Sequence, residues 1–297
     1  MKISVIIPTY NEEKYLPKLL KCLRAQTMND FEIIVADAES TDRTPEIARE
    51  YGARVIPGGM PAVGRNAGAR AAKGDYYFFF DADVKFNKHF LKRAHKEMQE
   101  RFIDLATCEA RPLSNVPLDR IMHRFANMYL RLNQFTNPMA PGYCILIHAR
   151  LFERTGGFDE TIKLAEDFDL IKRAAKLRPF RVLDSVHVNV SVRRYRKEGR
   201  LAFMKHSLAV SWHRTFKGEI TDDDFEYEFG EFGEKDADSR LRKVERGINK
   251  LTRRYRLFAK RLERNADGER LEAMQERLKE LYGGVWNRSD DEKPNRQ

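Results

Sequence analysis

The run Tyr76-Tyr77-Phe78-Phe79-Phe80 stops abruptly at Asp81-Ala82-Asp83, and few folds accommodate both halves of that pattern. Consecutive aromatic residues leave no polar face, so the segment reads as a strand buried on both sides. Two carboxylates one residue apart at its end make a place to hold a cation. In an open α/β sheet, ligands bind in the crevice beyond the carboxyl ends of the strands, which directs Asp81 and Asp83 there. Oxygen ligands suit Mg²⁺ or Mn²⁺, ions that accept carboxylates, water and the oxygens of a diphosphate. An ordinary Asp-rich turn is the competing reading, and the rest of the chain decides between them.

Taken in order, residues 3 to 7 read as a buried strand halted at Pro8, and Thr9-Tyr10-Asn11-Glu12-Glu13 turn into a helix that runs to about Gln26. Residues 31 to 36 form a second strand, followed by Asp37-Ala38-Glu39-Ser40-Thr41-Asp42. Thr41 or Asp42 caps a helix that has Pro45 in its first turn and Gly52 beyond its last residue. A third strand at 53 to 56 and a small-residue helix at 62 to 72 precede the aromatic strand. This alternation predicts a doubly wound, mostly parallel α/β sheet with right-handed crossovers. The polar turns at 8 to 12, 37 to 42 and 81 to 83 then open on one crevice. Residues 85 to 104 read as an amphipathic helix. Another helix, from 117 to 135, carries Phe125, Met128, Tyr129 and Leu132 on one face, a stripe expected to be core rather than groove.

Several chemistries are excluded. No Gly-x-Gly-x-x-Gly follows the first strand and no Walker lysine motif occurs, which argues against a dinucleotide cofactor or a P-loop. The three cysteines, Cys22, Cys108 and Cys144, lack metal-site spacing and fit a reduced, cytoplasmic setting. No secretory leader or bilayer-length apolar run is apparent, so a cytoplasmic protein is expected, either soluble or peripheral on the inner face of the cell membrane. The 55 Lys+Arg against 45 Asp+Glu give a formal charge of +10, which favours polyanionic partners without choosing among them. A basic nucleic-acid-binding protein stands as the alternative of another class, but nucleic acid is not expected, because recognition motifs are missing and the basic excess lies outside the crevice.

Residues 5 to 13 (Val-Ile-Ile-Pro-Thr-Tyr-Asn-Glu-Glu), Asp37 with Ser40-Thr41-Asp42, Gly64-Arg65-Asn66-Ala67-Gly68 with Ala72-Lys73-Gly74, and Asp81-Ala82-Asp83 resemble the successive signatures of family 2 glycosyltransferases with the GT-A fold. The resemblance continues through residues 152 to 160 and Glu166-Asp167, and covers about residues 1 to 200. It implies an inverting, metal-dependent transfer of sugar from a nucleoside diphosphate, UDP or GDP, to a hydroxyl of a glycan or lipid-linked acceptor. It implies that Pro8, Thr9, Tyr10 and Glu12 line the nucleotide pocket and that Asp37 bonds the base or ribose. Asp81 and Ala82 would border the donor, Asp83 would hold Mg²⁺ or Mn²⁺, and Asp81 would reach the metal through water. Arg65 would face the diphosphate, with an ion-paired arginine as the alternative, and Asn66 is read as structural. The loop departs from the usual Asp-Asp-Gly-Ser by reading Asp37-Ala38-Glu39-Ser40, which loses one pairing option.

Glu166-Asp167 opens a predicted helix rich in acid, which dipole complementation alone would explain. Under the resemblance this is the acidic pair of the reaction, with Asp167 as the base that takes the acceptor proton and Glu166 or Asp169 in reserve. His187 lies where some relatives place a late metal ligand, although a histidine between Val186 and Val188 also suits an ordinary strand. Transfer to a polyprenyl phosphate, which needs no base, stands as the alternative reaction. The Gln-x-x-Arg-Trp signature of processive synthases is absent, which favours single addition.

Beyond Arg193-Arg194-Tyr195-Arg196-Lys197, a basic segment able to close over a diphosphate, residues 201 to 238 read as a basic amphipathic helix and an acidic extended segment. The basic helix suits an anionic membrane surface or packing on the catalytic domain. Residues 239 to 286 carry a heptad-like seam broken at Asn265-Ala266-Asp267-Gly268, which predicts a helical hairpin packed on the domain or forming a homodimer. Residues 287 to 297 read as a disordered tail.

Overall fold

The computed structural model describes residues 2 to 162 and 164 to 200. The expected segments at 201 to 238, 239 to 286 and 287 to 297, with their membrane and dimer contacts, lie outside the described residues. In the order of the chain, the elements are β1 (Ile3–Thr9), α1 (Leu16–Arg24), β2 (Phe31–Asp37), α2 (Thr44–Glu50), β3 (Arg54–Pro57) and α3 (Pro61–Ala71). There follow β4 (Tyr76–Phe79), β5 (Val84–Lys85), α4 (Phe90–Glu100), β6 (Leu105–Pro112) and α5 (Pro117–Asn133). The series closes with β7 (Ile145–His148), α6 (Ala149–Thr155), α7 (Glu166–Ala175), β8 (Phe180–Val190) and α8 (Arg193–Glu198).

The strands form one sheet in the order β3-β2-β1-β4-β7-β6-β8-β5. β1, β2, β3 and β4 are parallel, and β6 and β8 are parallel to each other. β7 runs antiparallel to both β4 and β6, and β5 runs antiparallel to β8. Two reversals across β7 restore the direction, so six strands end at one edge of the sheet. The loop leading into β7 arrives at that same edge.

The aromatic strand anchors both layers. Phe78 and Phe80 point into the cluster that holds Phe86 and Phe90, whereas Tyr77 and Phe79 point into the other with Phe152 and Phe158. Alternation across a pleated strand thus places consecutive aromatics in two separate cores. Each fully buried Phe contributes roughly 1.5–3 kcal/mol of transfer free energy. Small residues let α3 lie close on the sheet: a Cβ at Gly68 would fall within 2.3 Å of the Ile6 side chain.

Two expectations are corrected. The helix expected over 85 to 104 starts only at Phe90, because Val84-Lys85 is drawn into the sheet as β5. The Phe125/Tyr129 stripe of α5 is not core, since these side chains are 45% and 46% exposed. The buried face carries Asp119, Ile121, His123, Asn127, Leu130 and Arg131. The reason lies in β6, which pairs with β7 only at Leu105 and Ala106. Farther on, the Asn127 amide replaces the missing strand, donating to Ala110 O at 2.8 Å and accepting from Ala110 N at 3.0 Å. A buried strand edge requires such partners.

Candidate active site

The crevice starts where β1 and β2 end together, with Thr9 paired to Asp37. Asp37 is buried and turned onto its own loop. It accepts from Thr9 Oγ1 at 2.8 Å and Ser40 Oγ at 2.7 Å, and from the Ser40 amide at 2.9 Å. The loop after β1 is tied to it in turn, because Asn11 N donates to Ser40 Oγ and Thr41 N donates to Asn11 Oδ1. Asn11 and Glu39 both hold a left-handed backbone, at φ 53° and 58°. The glycine usual at the Glu39 position would adopt that conformation freely; the glutamate is held there at a cost of roughly 1 kcal/mol. Pro8 packs beneath Gly64, and Tyr10 is 62% exposed at the mouth.

Asp81, Ala82 and Asp83 leave β4 at this same edge. Asp83 meets Arg193 at the start of α8, Nε to Oδ2 2.9 Å, and the same guanidinium forks onto Glu12 with Nη2 to Oε1 2.7 Å and Nη1 to Oε2 2.8 Å. It also lies 4.6 Å from the centre of the Tyr15 ring. Burial pushes the Asp83 carboxyl up to about 6; Arg193 opposes the rise, while the charges of Asp81 and Glu12 add to it.

On the opposite side stands the acidic start of α7. Arg65, on α3 and only 4% exposed, donates through Nη2 to Asp81 Oδ1 at 3.0 Å and through Nη1 to Glu166 Oε1 at 2.5 Å. It therefore takes the ion-paired position. Its face rests on Phe158, 5.4 Å from the ring centre, and its Nε is buried without a hydrogen-bond partner. Asp167 accepts from the Gly142 amide through Oδ2 at 2.6 Å and from the Phe168 amide through Oδ1 at 2.8 Å. Burial raises Asp167 to about 7, the neighbouring Glu166 charge adds to the rise, and Arg65 resists it. A carboxylate poised near neutrality is suited to accept a proton from a bound hydroxyl. Ala165, just before the pair, is itself left-handed at φ 66°, so the acidic turn is held in a backbone conformation that costs energy.

The other expected residues separate cleanly. Asp169 is bound by Arg173, which also donates to the carbonyls of Thr155 and Gly157, so it fastens α7 to the end of α6. Asn66 is structural: its amide donates to Phe158 O at 2.9 Å and accepts from Phe158 N at 2.9 Å. His187 is not brought to the cluster. Val84 pairs with Val190 and Lys85 with Asn189 in antiparallel register, so moving back from Asn189 to His187 moves away from Asp83. Its strand partner is Glu109. Tyr15, which reads as an ordinary helix-start aromatic, escaped the sequence reading, and Gly142 contributes an amide and a missing side chain, neither of which a sequence reports.

The carboxylates fit a hard divalent cation in type, since Asp83 and Glu12 offer only oxygen and gather around the Arg193 guanidinium, while Asp81 beside them is held by Arg65. Among the described residues, no three His, Cys, Asp or Glu side chains converge as a ready-made metal cluster. A cation here would have to draw its remaining ligands from a bound diphosphate and water.

Residues 4–156 match the family described as Glycosyl transferase family 2. Poly(ribitol-phosphate) beta-N-acetylglucosaminyltransferase TarS of Staphylococcus aureus is 31% identical over 179 residues, 56% of this chain and 31% of that protein. A crystal structure of S. aureus TarS 1-349 in complex with UDP-GlcNAc is similar with a TM-score of 0.54 at 27% identity, covering 64% of this chain and 58% of that one. A mannosyltransferase of Pyrobaculum calidifontis has a TM-score of 0.56 over 96% of this chain and 79% of its own; at 19% identity, that likeness is one of fold. The chain spans about a third of the TarS protein it matches.

Proposed function

The chain belongs to glycosyl transferase family 2 and has the GT-A fold, and on that premise we propose that it is a metal-dependent, inverting glycosyltransferase. It moves a sugar from a nucleoside diphosphate to a hydroxyl of a glycan or lipid-linked acceptor, one residue at a time. The observation that carries this reading is the single Arg65 guanidinium bonded to both Asp81 and Glu166, which ties the end of the aromatic strand to the helix start that bears the candidate base. Similarity to a TarS structure holding UDP-GlcNAc favours a uridine nucleotide over a guanosine one.

In this mechanism Thr9, Asp37 and Ser40 hold the loop that borders the nucleoside, with Pro8 and Tyr10 as its walls. Asp83, with Asp81 beside it, would hold a Mg²⁺ or Mn²⁺ bound with the donor, and the cation would supply charge neutralisation of the departing diphosphate. Asp167 takes the proton from the acceptor hydroxyl as oxygen attacks the anomeric carbon on the side away from the diphosphate. Displacement from that side inverts the configuration. Burial and the negative charge of Glu166 keep Asp167 basic, and Arg65 limits the rise. An acceptor that is already an anion, such as a polyprenyl phosphate, would have no use for a carboxylate tuned in this way.

Thermal denaturation with UDP, UDP-GlcNAc, GDP and GDP-mannose, each with Mn²⁺ or with EDTA, tests the reading. A ligand at a hundred times its Kd stabilises by about 2.7 kcal/mol. For a domain of this size that is a Tm rise of roughly 5–10 °C. The uridine compounds should give it only with Mn²⁺, and Asp167→Asn should retain the shift while losing transfer. A flat Tm with all four compounds would overturn the proposal.

A further inference from the structure

We propose that Arg193 is a built-in counter-ion for Glu12 and Asp83, occupying the cation's place so that a divalent cation binds in competition with it. The inference rests on the donor site described above and concerns how that site is kept in the absence of substrate. Three nitrogens of one guanidinium are committed to the two carboxylates, at 2.7, 2.8 and 2.9 Å. These residues come from distant parts of the chain, the loop after β1 and the end of β4. Without a positive charge between them, like charges would be held close in a partly buried crevice, a costly arrangement. A cation that takes Asp83 Oδ2 removes the acceptor of Arg193 Nε, because a guanidinium and a metal ion cannot share that lone-pair direction.

The two ends of this segment are built differently. Arg193 is 38% exposed, so its contacts can be exchanged with solvent ions. Seven residues on, Arg200 grips the fully buried Asp119 of α5 with Nε to Oδ1 2.7 Å and Nη2 to Oδ2 3.2 Å. Between them Gly199 sits at φ 81° and ψ 140°, a backbone conformation open mainly to glycine. The segment is therefore moored firmly at α5 and tethered at the donor side by a contact that an incoming cation removes. Its release frees Arg193 and uncovers Glu12 and Asp83 in one event.

Mn²⁺ affinity of the full chain, read by electron paramagnetic resonance without nucleotide, tests the competition. Arg193→Gln removes the charge and should tighten Mn²⁺ binding by on the order of fivefold or more. Adding Asp83→Asn should abolish that gain, which separates this site from acidic residues elsewhere in the chain. Arg193→Lys cannot span both carboxylates and should shift affinity in the same direction by less; it also serves if the Gln variant does not fold. Unchanged or weaker Mn²⁺ binding in these variants, with nucleotide-dependent stabilisation of the parent chain intact, would overturn the counter-ion role and leave the transferase reading standing. Loss of nucleotide binding by the parent chain itself would instead remove both.

Discussion

The Gly142 amide donates to Asp167 Oδ2 at 2.6 Å, and a Cβ placed on Gly142 would lie 2.4 Å from Arg65 Nη2. The loop before β7 thus touches the candidate base and the bridging arginine at once. Gly142→Ala should leave the fold standing, because the atom it meets is the end of a side chain. It should displace Arg65 from Asp81 and turn Asp167 by a fraction of an ångström. Misplacement of that size lowers kcat by on the order of tenfold to a hundredfold. Steady-state kinetics beside a melting curve decides: a fall in Tm with kcat unchanged would mean that the loop matters for packing alone.

Arg65 itself should separate charge from shape. Replacing it with Met leaves Glu166 buried without its partner, which costs roughly 3 kcal/mol and lowers Tm by about 6–12 °C. The contribution of Asp81 is smaller, because that side chain is 39% exposed and screened by water. Arg65 also holds the Asp167 carboxyl down against burial and the Glu166 charge. The acid limb of the kcat/KM profile, at about pH 7 in the parent, should therefore move to higher pH in Arg65→Met and stay near its place in Arg65→Lys. A limb that does not move in either variant would exclude Asp167 as the titrating group.

The sequence is most legible where the physics is local. The run from Tyr76 to Phe80 announces a strand buried on both faces, and the two clusters that divide its side chains bear this out. The direction of β7 was not legible, because the apolar stretch from Tyr143 to Ile147 is compatible with either orientation. The outward face of α5 was hidden for a different reason: its buried side carries Asp119 and Asn127, which find partners in Arg200 and the edge of β6, and His123, whose ring bonds the Asp119 carbonyl. Arg65 could be placed beside the pocket, but its partners lie 16 and 101 residues away, and no periodicity reports a pairing of that kind.

Asp167 makes an opposite demand on stability and on chemistry, which gives the last expectation. It titrates at about 7 in the folded chain against an ordinary value of 3.8. Between those values the unfolded chain has released the proton and the folded chain still holds it. Folded stability is therefore fully present below the lower value and is lost as pH rises toward and through the higher one. An asparagine has no proton to lose, so Asp167→Asn should gain in Tm relative to the parent as pH is raised from 5 to 8, even though transfer is abolished throughout. The comparison is made within each pH, so the constant effect of an amide facing the Gly142 and Phe168 N–H groups cancels from the trend. A difference in Tm that stays level across the range, or shrinks as pH rises, would show that the carboxyl is already ionised in the folded chain at low pH, and would remove the raised basicity that suits it to take the acceptor proton at neutral pH.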